Sequence, residues 1–263
     1  MNFYWIYDIP NSVFFLITIG FFIAFSLLGA FIFSNYFEKK LGLTSENNDT
    51  VNTFLSISGA FYGITLGLIA VGTFENFKAL ESVVNEEASA LSALYRDVSV
   101  LEQPTEKAAL QQKLKDYTTF VVNTAWAEQR KGIIPTGDTK IIHEFQNLLG
   151  TYQIKSEKDN IIFDQVFGQF NTLIEKQRLR LNSVPQGLPA SIWVVLFTGA
   201  FVNIMLTWLL VINNKKLDIL INTLLGALLG SLIFLIAAMD NPFRGEFSVG
   251  AEPFSLLLEG LMK

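Results

Sequence analysis

The side chains best placed for chemistry are a short run of carboxylates and a pair of arginines further along the chain. Glu75, Glu81, Glu86 and Glu87 lie close together, next to an apolar stripe in which Phe77, Val84, Leu91 and Val98 recur every seventh residue. Leu80, Leu94 and Leu101 interleave with them, and Glu87 occupies a position equivalent to these leucines. A carboxylate facing a helical seam is costly unless it is paired or hydrogen-bonded. Two chemistries meet that requirement. One is a buried ion pair with an arginine, such as Arg178 or Arg180. The other is a ring of carboxylates around an oligomer axis, binding cations. Asp240 opens the run Asp240-Asn-Pro-Phe-Arg-Gly245, in which Pro242 stops a helix. Its carboxylate either accepts hydrogen bonds from that turn or faces the same vestibule.

A second pattern consists of glycines. Gly59, Gly63 and Gly67 are each four apart, and Gly226 and Gly230 repeat the spacing with Asn222 one turn earlier. On helices these residues make flat strips that allow close helix approach in lipid. The strips pack helices within one subunit or join copies of a subunit around an axis. In the second case Tyr62, Leu66, Ile69 and Thr73 line a pore, with Glu75 at its end.

Other chemistry finds little support. There are no cysteines, and His143 is the sole histidine, without a nearby nucleophile or ligand partner. No Gly-rich phosphate loop or Asp-rich calcium loop occurs. No cofactor and no catalytic residue are expected, and no metal ligand set can be named. The net charge of −5 argues against nucleic acid as a partner.

The elements that position these groups are set by hydropathy. Hydrophobic residues make up 51% of the chain and charged residues 16%, against roughly 25% charged in soluble domains. Four uncharged runs, 12–37, 51–74, 188–214 and 219–239, are each long enough to cross about 30 Å of hydrocarbon as helix. Trp5, Tyr7, Tyr36, Trp193 and Trp208 flank the first and third runs, as interfacial aromatics do. The first run lacks a basic leader and is too long for a cleaved signal, so it reads as a retained span. The fold class expected is an all-α membrane protein: four transmembrane helices in two hairpins with an intervening helical soluble domain. Residues 1–74 and 188–240 form the hairpins, 75–187 the soluble domain, and 241–263 a turn and an amphipathic segment suited to the membrane surface or a neighbour.

Within 75–187 the periodicity is helical. The heptad from Phe77 follows the second span without Gly or Pro between them, which predicts one helix from about Asn52 to Leu101. Further helices are predicted from Leu110 to a break at 131–138, over 140–149 and over 159–181. Lysines on the hairpin loops and basic residues at the other membrane face nearly balance, with a slight lean to a cytoplasmic soluble domain.

The run Gly59-Ala-Phe-Tyr-Gly-Ile-Thr-Leu-Gly67, then Phe74-Glu-Asn-Phe77 and Asn85-Glu-Glu-Ala-Ser-Ala-Leu-Ser-Ala-Leu-Tyr-Arg96, resembles the bestrophin-like domain proteins of bacteria and plants. Arg178-Leu-Arg180-Leu before Pro185 and Trp193, and Asp240-Asn-Pro-Phe-Arg-Gly245, resemble later parts of that pattern. The resemblance implies a ring of subunits with the second span around a pore, in a multi-pass protein of the bacterial inner membrane. It implies a homo-oligomer in the lipid bilayer that passes an inorganic ion. Bestrophins are calcium-gated anion channels, but their acidic calcium cluster and the spacing of their aromatic neck are not found in this sequence. Two other functions fit the layout. One is a stator-like ion-driven transducer using Asn203, Thr207, Asn222 and Thr223; the other is a sensor or scaffold whose helical domain binds a ligand or partner.

Overall fold

The structure is a computed structural model and describes residues 4–263. The described residues form helices and connecting turns, without strands. After a 3₁₀ turn at Tyr4–Asp8, the α-helices are α1 (Asn11–Leu41), α2 (Asn48–Ser99), α3 (Pro104–Phe120), α4 (Trp126–Arg130), α5 (Gly137–Thr151), α6 (Glu157–Asn182), α7 (Ala190–Thr207), α8 (Lys215–Met239) and α9 (Glu252–Gly260). A π-helical segment, Val121–Ala125, joins α3 to α4. Four helices, α1, α2, α7 and α8, are long and apolar enough to cross a membrane.

Local chemistry sets the ends of these helices. Gly42 closes α1 in the left-handed conformation at φ 62°, its N–H bonded to the Glu38 carbonyl. Pro104 starts α3 at a position where a missing N–H costs nothing. Ser156 caps α6 by accepting from the Asp159 N–H, and the Asn214 side chain caps α8.

Two compact units result. The membrane unit comprises residues 4–76, 187–241 and 245–247. In it α1 packs along α8 rather than along its neighbour in sequence, α2. A Cβ on Gly226 would lie 2.8 Å from the Ile23 Cα, and one on Gly230 equally close to the Ile19 Cα. Only glycine allows backbones to meet so closely. The core of the unit joins Phe22, Tyr62, Leu66, Leu196, Ala200, Ile204, Leu229 and Ile233. The third span is shorter than the uncharged run 188–214: α7 ends at Thr207, and the chain turns before α8. The Asn48 side chain satisfies that turn, donating to the Val211 carbonyl and accepting from its N–H, both at 3.0 Å.

The helical unit comprises residues 77–186, 242–244 and 248–263. Its core runs from Leu80 through Leu91, Leu94 and Val98 of α2 to Leu110 and Leu114 of α3, Phe145 of α5 and Phe170 of α6. The segment after Pro253, expected on the membrane or a neighbour, instead completes this core. Phe254 and Met262 are fully buried, and the Phe254 ring packs 5.9 Å from that of Trp126. Leu257, Leu258 and Leu261 pack against the same core, while Leu256 stays 68% exposed.

Candidate functional site

Glu87 lies at the centre of the helical unit. Its Oε2 accepts from Arg180 Nε at 2.7 Å and its Oε1 from Arg180 Nη2 at 3.1 Å, a bidentate pair. The Tyr117 hydroxyl donates to the same Oε1 at 2.5 Å. Asp138 Oδ2 lies 3.4 Å from Arg180 Nη2, and its Oδ1 accepts from the Thr139 N–H. The Trp126 ring lies 5.6 Å from the guanidinium carbon. Glu87, Asp138 and Arg180 have no solvent exposure. Burial, then the Glu87 charge, push the Tyr117 hydroxyl well above its ordinary value, so it stays a neutral donor. Burial acts to lower the Arg180 value, but the Glu87 carboxylate reverses this and raises it.

The π segment helps to assemble this cluster. Tyr117 and Trp126 are nine residues apart, which in an uninterrupted α-helix puts them on opposite faces, about 180° apart. A π turn absorbs one residue and brings them to within about 80°. Both then face Arg180. Tyr117 falls on the apolar stripe of its helix with Leu110, Leu114 and Val121, and Glu87 is marked by its place among leucines, whereas Asp138 carries no distinguishing signal in the sequence.

Of the two chemistries open to Glu87, the cluster shows the buried ion pair, with Arg180 as its arginine, and Glu87 is sealed within its own chain, away from any carboxylate ring. Arg178 is exposed and takes no part. Asp240 is half-buried, and its Oδ1 accepts from the Leu188 N–H at 2.5 Å, holding the turn between α6 and α7 against the end of α8.

A second carboxylate fastens the far tip of the unit. Asp159 accepts from the Tyr152 hydroxyl at 2.8 and 2.9 Å, the Lys155 N–H at 3.1 Å and the Glu102 N–H at 3.3 Å. Burial alone would raise this carboxyl, but the Tyr152 hydroxyl and the backbone donors hold it below the usual value. A depressed folded pKa contributes stability that is full above the unfolded value of about 3.9 and is lost as pH falls through the folded one. Amide protection factors at Glu102 and Lys155 should therefore drop below about pH 4. Asp159→Asn should lower them at neutral pH, by hydrogen exchange.

In the membrane unit, α2 presents two faces. Tyr62, Leu66 and Thr73 are buried and Ile69 is half-buried. The Tyr62 hydroxyl donates to the Leu196 carbonyl at 2.6 Å, and its ring occupies the space a side chain at Gly199 would need. The face expected to line a pore is thus occupied by α7 of the same chain. The opposite face carries Phe54, Ile57, Phe61, Ile64, Leu68 and Val71, with Phe61 and Leu68 each 70% exposed. Only 11% of the most apolar stretch of α2 is buried, against 39% for α8. A Cβ at Gly63 or Gly67 would meet no atom within 4 Å, and one at Gly59 only Asn203 Oδ1 at 3.6 Å. Within the chain this strip therefore makes no close helix contact. Glu75 is exposed just beyond it.

The polar groups of the later spans are already engaged. Asn222 Oδ1 accepts from Ser26 Oγ and Thr207 Oγ1, both at 2.9 Å, and its Nδ2 donates to Asp218 Oδ1 at 2.8 Å. Asn203 bonds Ser58 Oγ and the Gly199 carbonyl. These contacts tie α1, α2, α7 and α8 together and leave the two asparagines and Thr207 poorly placed to relay an ion. Among the described residues, no group of three or more His, Cys, Asp or Glu could hold a metal ion.

Two spans on each side of a helical unit, with the second span running unbroken into it, define a class of multi-pass helical membrane protein. The sequence matches the bestrophin-like domain over residues 20–254; the chain belongs to the bestrophin-like family. Its fold is similar to that of a bacterial bestrophin homologue from Klebsiella pneumoniae, at 12% identity and a TM-score of 0.71, covering 94% of this chain and 96% of that one. A variant of that homologue with one tyrosine replaced by alanine gives a TM-score of 0.71 and covers 94% and 97%, also at 12% identity. A membrane protein with one proline replaced by alanine, again 12% identical, gives 0.70 with the same coverage. No curated protein matches the sequence.

Proposed function

We propose that the chain is the subunit of a homo-oligomeric ion channel in the bacterial inner membrane, with copies of α2 arranged around the pore. The observation that carries this reading is the uncovered face of α2. The helix at the junction of the two units leaves its glycines and its large apolar residues without partners in its own chain. Lipid alone does not require bare glycine at Gly63 and Gly67, whereas close approach of another helix does. On this reading the pore face is the Phe54–Val71 stripe, with Glu75 at one mouth. A carboxylate ring there would favour cations. The helical unit lies in the cytoplasm, with both chain ends on the same side.

Recording from purified protein in planar bilayers tests the proposal, combined with imaging of the detergent-solubilised particle. The expected result is a closed ring that conducts. Because the chain has no cysteine, single-cysteine variants report cleanly. A charged thiol reagent should block current through Leu68→Cys and leave Tyr62→Cys unaffected. Glu75→Gln should shift the reversal potential in a salt gradient towards the anion value. A monomeric particle without conductance would remove the channel reading.

A further inference from the structure

We infer that the loop from Arg130 to Pro135 anchors the helical unit to the bilayer surface. Ile133 and Ile134 would enter the headgroup boundary, while Arg130 and Lys131 engage acidic phospholipid headgroups. Isolated exposed apolar residues are normal on protein surfaces. Here two adjacent isoleucines are 53% and 50% exposed, separated by Gly132 alone from two exposed cations. Arg130 and Lys131 form no ion pair among the described residues.

The exposure is enforced by the backbone. Gly132 has φ +75°, and its N–H bonds to the Gln129 carbonyl at 2.8 Å while the Ile133 N–H bonds to the Glu128 carbonyl at 3.0 Å. The guanidinium of Arg244 fills the space where a Gly132 side chain would stand. Pro135, on the other side, is buried. Held at both ends, the isoleucines cannot fold back onto the core.

The placement follows from helix register. Tyr117 pairs with Glu87, and α3 runs back along α2 from the turn at Val100–Gln103. Arg130 lies 13 residues past Tyr117, about 20 Å at helical rise. Phe77, where the helical unit begins, lies 10 residues before Glu87, about 15 Å in the same direction. The loop is therefore at the end of the unit where α2 emerges from its span. Arg244, which touches Gly132, follows Met239, the last residue of α8, by only five positions. Bulky apolar side chains beside lysine and arginine at a membrane boundary suit the interface, where the apolar chains bury and the charges meet lipid phosphates. None of this depends on whether α2 forms a pore.

The test uses the full-length protein in nanodiscs of phosphatidylcholine and phosphatidylglycerol, labelled with bimane at Ile133→Cys or, as a control at the opposite tip, at the exposed Val100→Cys. The label at 133 should emit to the blue of that at 100 and be quenched by doxyl lipids, with little quenching by aqueous iodide. Arg130→Gln with Lys131→Gln, or discs of phosphatidylcholine alone, should reduce the lipid quenching. Iodide quenching equal to that at 100 would overturn the inference. A blue shift without doxyl quenching would also overturn it, by placing the loop against another subunit. Undiminished insertion in neutral lipid would overturn the role given to the two cations.

Discussion

Arg180→Met is expected to unfold the helical unit of the purified protein while leaving its spans in the detergent micelle. The substitution leaves the Glu87 and Asp138 carboxylates buried without their shared cation, and breaking a buried pair in this way costs about 3–5 kcal/mol. That is a large fraction of the roughly 5–15 kcal/mol that holds a domain folded. Arg180→Lys should lose less but not be neutral, because an ammonium lacks the planar fork that sends separate N–H donors to the two Glu87 oxygens. Adding Glu87→Gln to Arg180→Met should recover part of the loss, since the worst buried charge has gone. Thermal denaturation and limited proteolysis within 77–186 read these differences. An Arg180→Met protein within about 0.5 kcal/mol of the parent, the usual range for surface changes, would show that the cluster does not hold the unit together.

Gly226→Leu is expected to have the largest effect in the membrane unit. Even a methyl group there would press on the Ile23 Cα and N and the Phe22 carbonyl, at 2.8–2.9 Å. All three are backbone atoms, which cannot rotate away. Overpacking typically costs about 1–3 kcal/mol, and a leucine must also push α1 off α8. That would stretch the Ser26–Asn222 bond and the Trp208 Nε1 bond to the Ser26 carbonyl, now 2.9 and 3.0 Å. A fall in melting temperature and a loss of folded protein in mild detergent should follow. Gly67→Leu is the informative contrast. Nothing lies within 4 Å of a Cβ at that position, so the isolated subunit should tolerate it while self-association weakens. Equal destabilisation by the two leucines would contradict the distinct roles of the two strips.

The contrast between those glycines shows where the sequence was legible. Uncharged runs identify membrane spans because the length of apolar helix is itself the physical requirement, and the long α2 followed from a heptad without a breaker. Glu87 betrayed its burial by sitting among leucines. Its arginine could be narrowed to Arg178 or Arg180 but not chosen, since two residues along a helix is a difference of face that depends on tertiary packing. Asp138 was hidden because an aspartate in the Gly- and Pro-bearing break at 131–138 looks the same whether exposed or buried. The stripe of Leu110, Leu114 and Val121 marked Tyr117 for burial without showing that its hydroxyl meets Glu87. The π turn that aligns Tyr117 with Trp126 has no local signature. The face of α2 that packs on α7 was not recognised as such for a related reason. In the membrane stretch of α2 both stripes are apolar, and hydrophobicity that runs all round a helix does not say which side meets protein.

Pairing of the first span with the last has a consequence for biogenesis. Ser26 and Asn222, joined in the finished fold, are 196 residues apart in the chain. At about 5–20 residues per second, roughly 10–40 s of synthesis separate their emergence. Throughout that interval α1 lies in the bilayer without the helix it is shaped to fit, and most of the helical unit is made before that helix arrives. Insertion factors or lipid must shield the Phe22–Ser26 surface until translation delivers α8, so the membrane unit closes late, as a clasp around chain already made.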